Sequence, residues 1–90
     1  MKHELKTWPE YFQAVVSGIK TFEVRKNDRQ FSPGDVLFLQ EYDPRVLNKE
    51  SGTSYTGRSC EVEVCYFLDN FVGIESGYCV MAIRLKSRKI

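Results

Sequence analysis

Lys20, Glu23 and Arg25 fall within the run Gly18-Ile19-Lys20-Thr21-Phe22-Glu23-Val24-Arg25, and these residue types at that spacing suit one kind of chemistry. On an extended chain alternate residues share a face, so Glu23 and Arg25 point one way while Phe22 and Val24 point the other. Lys20 stands just ahead of the strand, close enough to reach the same face. Two cations beside one carboxylate could hold a phosphate with Lys20 and Arg25. Glu23 could meanwhile accept a hydrogen bond from a base amino or imino group. The same residues also describe a solvated strand face with a Glu23–Arg25 ion pair, which contributes little. Taken alone, they leave both readings open.

The elements that must position this cluster are legible in the hydrophobic pattern. Thr7 and Glu10 have capping-box spacing, Pro9 suits a first helical turn, and Phe12, Val15, Val16 and Ile19 recur at three- and four-residue intervals. This predicts a helix from near Pro9 to Ser17 that packs the stripe inward and is released at Gly18. After Gly18 the period becomes two, giving a strand with one apolar and one polar face. Residues 1–6 are too few for periodicity to decide, although His3 and Leu5 would share a face in a strand. Asn27-Asp28-Arg29 and Ser32-Pro33-Gly34-Asp35 read as turns. Val36 to Tyr42 is apolar on both faces and predicts a central strand. Asp43 to Gly57 reads as a long hairpin loop, and Arg58 to Leu68 as a strand whose alternation breaks at Cys65-Tyr66-Phe67-Leu68, the mark of a bulge. A turn-rich stretch from Asp69 to Gly77 precedes a last strand from Tyr78 to Leu85. Few, long strands and one helix in 90 residues predict a single α+β, barrel-like domain spanning 1–90.

Composition narrows the function classes. Lys+Arg 13 against Asp+Glu 12 gives a net charge of +1. Residues 84–90 hold Arg84, Lys86, Arg88 and Lys89 and no acid. The rest of the chain is therefore acidic on balance, which excludes broad coating of nucleic acid by net charge. Residues 20–29 form a local exception: Lys20, Arg25, Lys26 and Arg29 stand against Glu23 and Asp28. Cys60, Cys65 and Cys79 lack zinc spacing, and His3 is the one histidine, so no metal site and no cofactor are expected. Reduced, buried thiols and a cytoplasmic location fit that usage. Residues 1–9 hold no apolar run, so no leader is expected, and no stretch approaches the ~20 apolar residues that span a bilayer.

The signature G-x-K-x-x-E-x-R at Gly18, Lys20, Glu23 and Arg25 resembles that of the ASCH domain, a PUA-like β-barrel superfamily. The surroundings resemble a small bacterial and phage branch of it. They comprise His3-Glu4-Leu5-Lys6 with Pro9 and Phe12, Arg25-Lys26-Asn27-Asp28-Arg29, Gly34-Asp35, Gln40-Glu41-Tyr42-Asp43, Tyr55-Thr56-Gly57-Arg58 and the Gly77-Tyr78 strand. The resemblance covers most of the chain. It implies a PUA-like barrel of five to six mostly antiparallel strands, a main helix beside a cleft, and RNA or nucleotide binding by Lys20, Glu23 and Arg25. It also implies an enzymatic alternative, since one branch deacetylates acetylated cytidine and other members are described as ribonucleases. The amidohydrolase branch uses a threonine nucleophile where this chain has Glu23. In an enzyme, Lys20 would be the base or charge stabiliser and Glu23 the general acid or base.

Further candidates surround this cluster. By its position in the resembling branch His3 could project to the cleft, or it could be an exposed terminal histidine. Lys26 and Arg29 could extend a cationic rim or sit on a solvated turn. Tyr42 could stack on a base or pack in the core. Arg45, Lys49, Tyr55 and Arg58 could make the 43–57 loop a flap. Glu61 and Glu63 share a strand face without a third acid or histidine nearby in sequence. The basic residues 84–90 read as a frayed tail, or as an aid to phosphate binding. The expectation is an RNA- or nucleotide-binding module, monomeric or weakly dimeric, with a hydrolase and a protein-interaction barrel as alternatives.

Overall fold

Alternation along the first strand sets the layout: His3, Leu5 and Thr7 turn inward while Lys2, Glu4 and Lys6 face solvent. The computed structural model describes residues 1–90. Its elements are β1 (Lys2–Thr7), α1 (Pro9–Val16), β2 (Phe22–Lys26), β3 (Val36–Tyr42), β4 (Tyr55–Asp69) and β5 (Tyr78–Lys89). They form one five-stranded sheet in the order β1-β3-β4-β5-β2. β1 runs parallel to β3, and every other pairing is antiparallel.

This is a small α+β domain, a five-stranded half-barrel with one short helix. Phe12, Val15 and Val16 of α1 pack into its concavity with Leu37 and Leu39 of β3, Val62 and Val64 of β4, and Met81 and Ile83 of β5. Burying one such aliphatic side chain contributes roughly 1.5–3 kcal/mol, so this cluster holds the helix where propensity alone would not hold eight residues. β3 is interior, paired on both sides by β1 and β4, although β4 and not β3 is the middle strand. The break at Cys65 is a register shift between Val64 and Tyr66, and a second shift lies between Glu61 and Val62.

Several sequence expectations change. The capping box is not made: Trp8 is the N-cap, without a side-chain cap, because Thr7 ends β1 facing inward. Ile19 is exposed, since Gly18 takes φ +82° and ends the helical period before it. Cys60 and Cys79 are buried, but Cys65 is exposed as the extra residue of the bulge. β4 starts at Tyr55, and the connection before it is tightened by an Asn48–Thr53 bridge. Residues 84–89 are no frayed tail. They continue β5, with Lys89 opposite Ser59 and Arg88 opposite Cys60.

The barrel is not closed by a strand ladder, for β1 and β2 are the two edges of the sheet. Side chains span the seam instead. Arg25 donates to the Lys6 carbonyl at 2.9 Å and the Thr7 hydroxyl at 3.3 Å, and Arg29 donates to the Glu4 carbonyl at 2.8 Å. Lys6 and Glu4 are two residues apart, so their carbonyls leave the same edge of β1. No helix is long and apolar enough to cross a membrane, and no three His, Cys, Asp or Glu side chains gather as metal ligands.

Candidate functional site

Where Gly18 turns the chain out of α1, Lys20 comes to lie beside the first residues of β2. Its ammonium donates to the Phe22 carbonyl at 2.7 Å and to Glu23 Oε1 at 2.6 Å. Arg25 Nε donates to Glu23 Oε2 at 2.8 Å. One carboxylate thus holds both cations. Glu23 is only 3% exposed, whereas Phe22 and Val24 are about half exposed. The sequence pairs these residues on faces correctly, but it is the polar face that turns inward. The two cations make that orientation tolerable for a carboxylate, which would otherwise lose its hydration uncompensated.

The three side chains line a cleft of about 570 Å³ together with Lys6, Thr7, Trp8, Tyr11, Phe22 and Val24. Trp8 and Tyr11 are each about half exposed. The Lys20 ammonium lies 4.9 Å from the Phe22 ring centre and 5.9 Å from that of Tyr11, within cation–π range. Donor counting shows what the cleft has left to offer. An ammonium has three N–H bonds, and two of Lys20's are spent. A guanidinium has five, and Nε and one terminal nitrogen of Arg25 are engaged, leaving the other terminal nitrogen unbonded.

Glu23 also acts at a distance. Burial, reinforced by the Glu23 charge, pushes the Cys60 thiol up to about 11, so that thiol is no nucleophile near neutral pH.

The remaining sequence candidates lie elsewhere. His3 does not reach the cleft: it is buried, its Nε2 is 2.9 Å from Asp35 Oδ2, and its ring meets Phe31 edge-on. Inward alternation with Leu5 takes it into the core, and Asp35 supplies the polar partner that burial demands. Arg29 is exposed, donates to the β1 edge with one terminal nitrogen, and does not line the cleft. Tyr42 packs edge-on against Tyr55 and under the Lys6 ammonium at 4.5 Å, and does not line the cleft. Arg45 pairs with Asp43 outside the cleft. Glu63 pairs with Arg84 and Glu61 with Lys2, so the two acids form no acid–base couple. Sequence reasoning missed Lys6, Thr7, Trp8 and Tyr11. Trp8 and Tyr11 stand one turn ahead of Phe12 and Val15, at the start of the helix where the stripe runs out over the end of β1 and leaves them about half exposed; two large aromatics beside the helix start were the available signal.

The family model for the domain of unknown function DUF3850 matches residues 2–83. The chain belongs to this family. The matched span contains every residue of the cleft. The chain is also 37% identical over 62 residues to the "Uncharacterized 12.9 kDa protein in GpA 3'region" of Escherichia phage P2, an alignment covering 69% of this chain and 50% of the phage protein. The chain thus spans about half the length of that relative.

Proposed function

We propose that the cleft of this DUF3850 domain binds RNA or a nucleotide-like ligand, holding a phosphate with Lys20 and Arg25 and a base against its aromatic walls. One observation carries the reading: Lys20 and Arg25, each with N–H donors left over, line the same cleft as three half-exposed aromatic rings. Lys6, Lys20 and Arg25 against Glu23 leave the cleft cationic, matching a phosphate group, and aromatic stacking contributes about 1–3 kcal/mol per base. The resemblance of the G-x-K-x-x-E-x-R run to the ASCH signature supports the same reading. Both Glu23 oxygens bond to cations, which favours a holding role over proton transfer and makes binding a better reading than hydrolysis.

Titration with nucleoside monophosphates and short single-stranded RNAs, at low and moderate salt, tests this. The expected result is salt-sensitive binding that falls at least tenfold in Lys20→Ala and in Arg25→Ala. Binding that neither substitution weakens would sink the assignment.

A further inference from the structure

A second concavity, of about 380 Å³, lies where β3, β4 and the final residues of β5 meet. Arg58, Ser59, Ser87, Arg88 and Lys89 line it. Arg58 reaches under the helix, donating to Gln13 Oε1 at 3.2 Å with its guanidinium over the Phe12 ring at 5.2 Å. Arg88 donates to the Val16 carbonyl at 3.0 Å. Both arginines are therefore anchored to α1, the helix that carries Trp8 and Tyr11 on the wall of the first cleft. Through these two side chains the second concavity is tied to the helix that borders the first cleft.

The charge here is available. Glu61 is taken by Lys2 at 2.8 Å, and Glu41 by Thr56 at 2.7 Å with Arg58 at 3.6 Å. Arg88 and Lys89 meet no carboxylate within ion-pair distance. They sit on a paired strand, so their backbone is ordered in advance and little freedom is lost when an anion arrives. Arg58, which also lines the concavity, keeps its Nε buried without any partner, where buried N–H groups are ordinarily satisfied. The Ser59 and Ser87 hydroxyls and the Gln40 amide lie in the same lining, and with Glu41 and Glu61 already engaged they suit a polar, anionic chain.

We propose that this concavity is a second phosphate-holding site, taking the phosphodiester backbone of a single-stranded nucleic acid that places one nucleotide in the first cleft. The proposal rests on the reading of the first cleft as a nucleotide site. It makes the ligand a strand several nucleotides long, and it gives the basic end of β5 a function.

Fluorescence anisotropy with uridine monophosphate as competitor and labelled hexauridylate as probe tests it, with a hexadeoxythymidylate arm to separate RNA from DNA. The protein is the full chain, wild type and Arg88→Gln/Lys89→Ala. The expected result is hexamer binding at least tenfold tighter than the monophosphate. The double substitution weakens the hexamer at least fivefold and leaves the monophosphate unchanged. It also reduces the slope of log K against log salt by about 1.4, two contacts at roughly 0.7 each. Lys89→Ala alone, which leaves the Arg88–Val16 bond intact, is expected to lower the slope by about 0.7 if folding suffers in the double variant. Equal hexamer affinity and slope in wild type and both variants overturns the second site alone. Binding of neither probe, or binding indifferent to Lys20→Ala, overturns the first reading and this one with it.

Discussion

Replacing Glu23 with alanine removes the carboxylate that Lys20 and Arg25 contact at 2.6 and 2.8 Å. Both cations keep some access to water, so the expected loss is about 2 kcal/mol, below the roughly 3–5 kcal/mol of a fully buried broken pair. Urea unfolding measures it, and Glu23→Gln should lose less because the amide still accepts. Asp35 makes a pH prediction. Burial pushes its carboxyl upward, but hydrogen bonds from His3, the N-terminal ammonium and the Ser32 amide outweigh that and hold it below 3.8. A carboxyl depressed in the folded state stabilises the fold above its unfolded pKa, and that contribution disappears as pH falls through the folded value. Stability should therefore drop as acid is added below about pH 4, and Asp35→Asn should flatten that part of the profile at the expense of stability at neutral pH. The thiols give a third test. At pH 8 a thiol reagent should modify Cys65 quickly in native protein, while Cys60 and Cys79, both raised chiefly by burial, react only in denaturant. Three fast thiols without denaturant would contradict the packing.

Elements differ in how much of themselves they showed in the sequence. The helix was readable because Phe12, Val15 and Val16 repeat at its period, and the Cys65 bulge because a strict alternation stops there. β2 was readable as a strand, but not which of its faces points inward. Alternation groups side chains, whereas orientation depends on neighbours, and β2's apolar residues sit on an edge strand whose outer face lies open. His3 and Asp35 meet across 32 positions, a separation at which no local pattern operates. The last strand misled for a related reason: a run of charges looks solvated, yet its backbone can still pair with β4. Gly18, the joint between helix and cleft, offers a clean element-scale test. A Cβ there would touch nothing within 4 Å, so Gly18→Ala should cost about 1 kcal/mol from the left-handed backbone alone. Gly18→Asn should cost less. Circular dichroism melts would show both.

For the whole molecule, the half-barrel depends on the basic end of β5 as structure as well as charge. Leu85 pairs with Val62 and Lys89 with Ser59, and Arg88 satisfies a carbonyl at the end of α1. Deleting residues 84–90 should lower Tm by about 10 °C or more, the equivalent of roughly 2 kcal/mol for a domain of this size. A truncated chain melting like the full one would show that the strand extension contributes nothing.

Sheet order also governs when the cleft comes into being. β2 has β5 as its strand neighbour, with Phe22 opposite Ala82 and Lys26 opposite Tyr78. A chain leaving the ribosome emits Lys20, Glu23 and Arg25 early, yet their strand has nothing to pair with until residues 78–82 follow. Pairings so distant in sequence close late. The cleft-lining residues are thus among the first made and the last put in place, so the cleft itself would report a finished fold, and nascent chains halted before Tyr78 would have none.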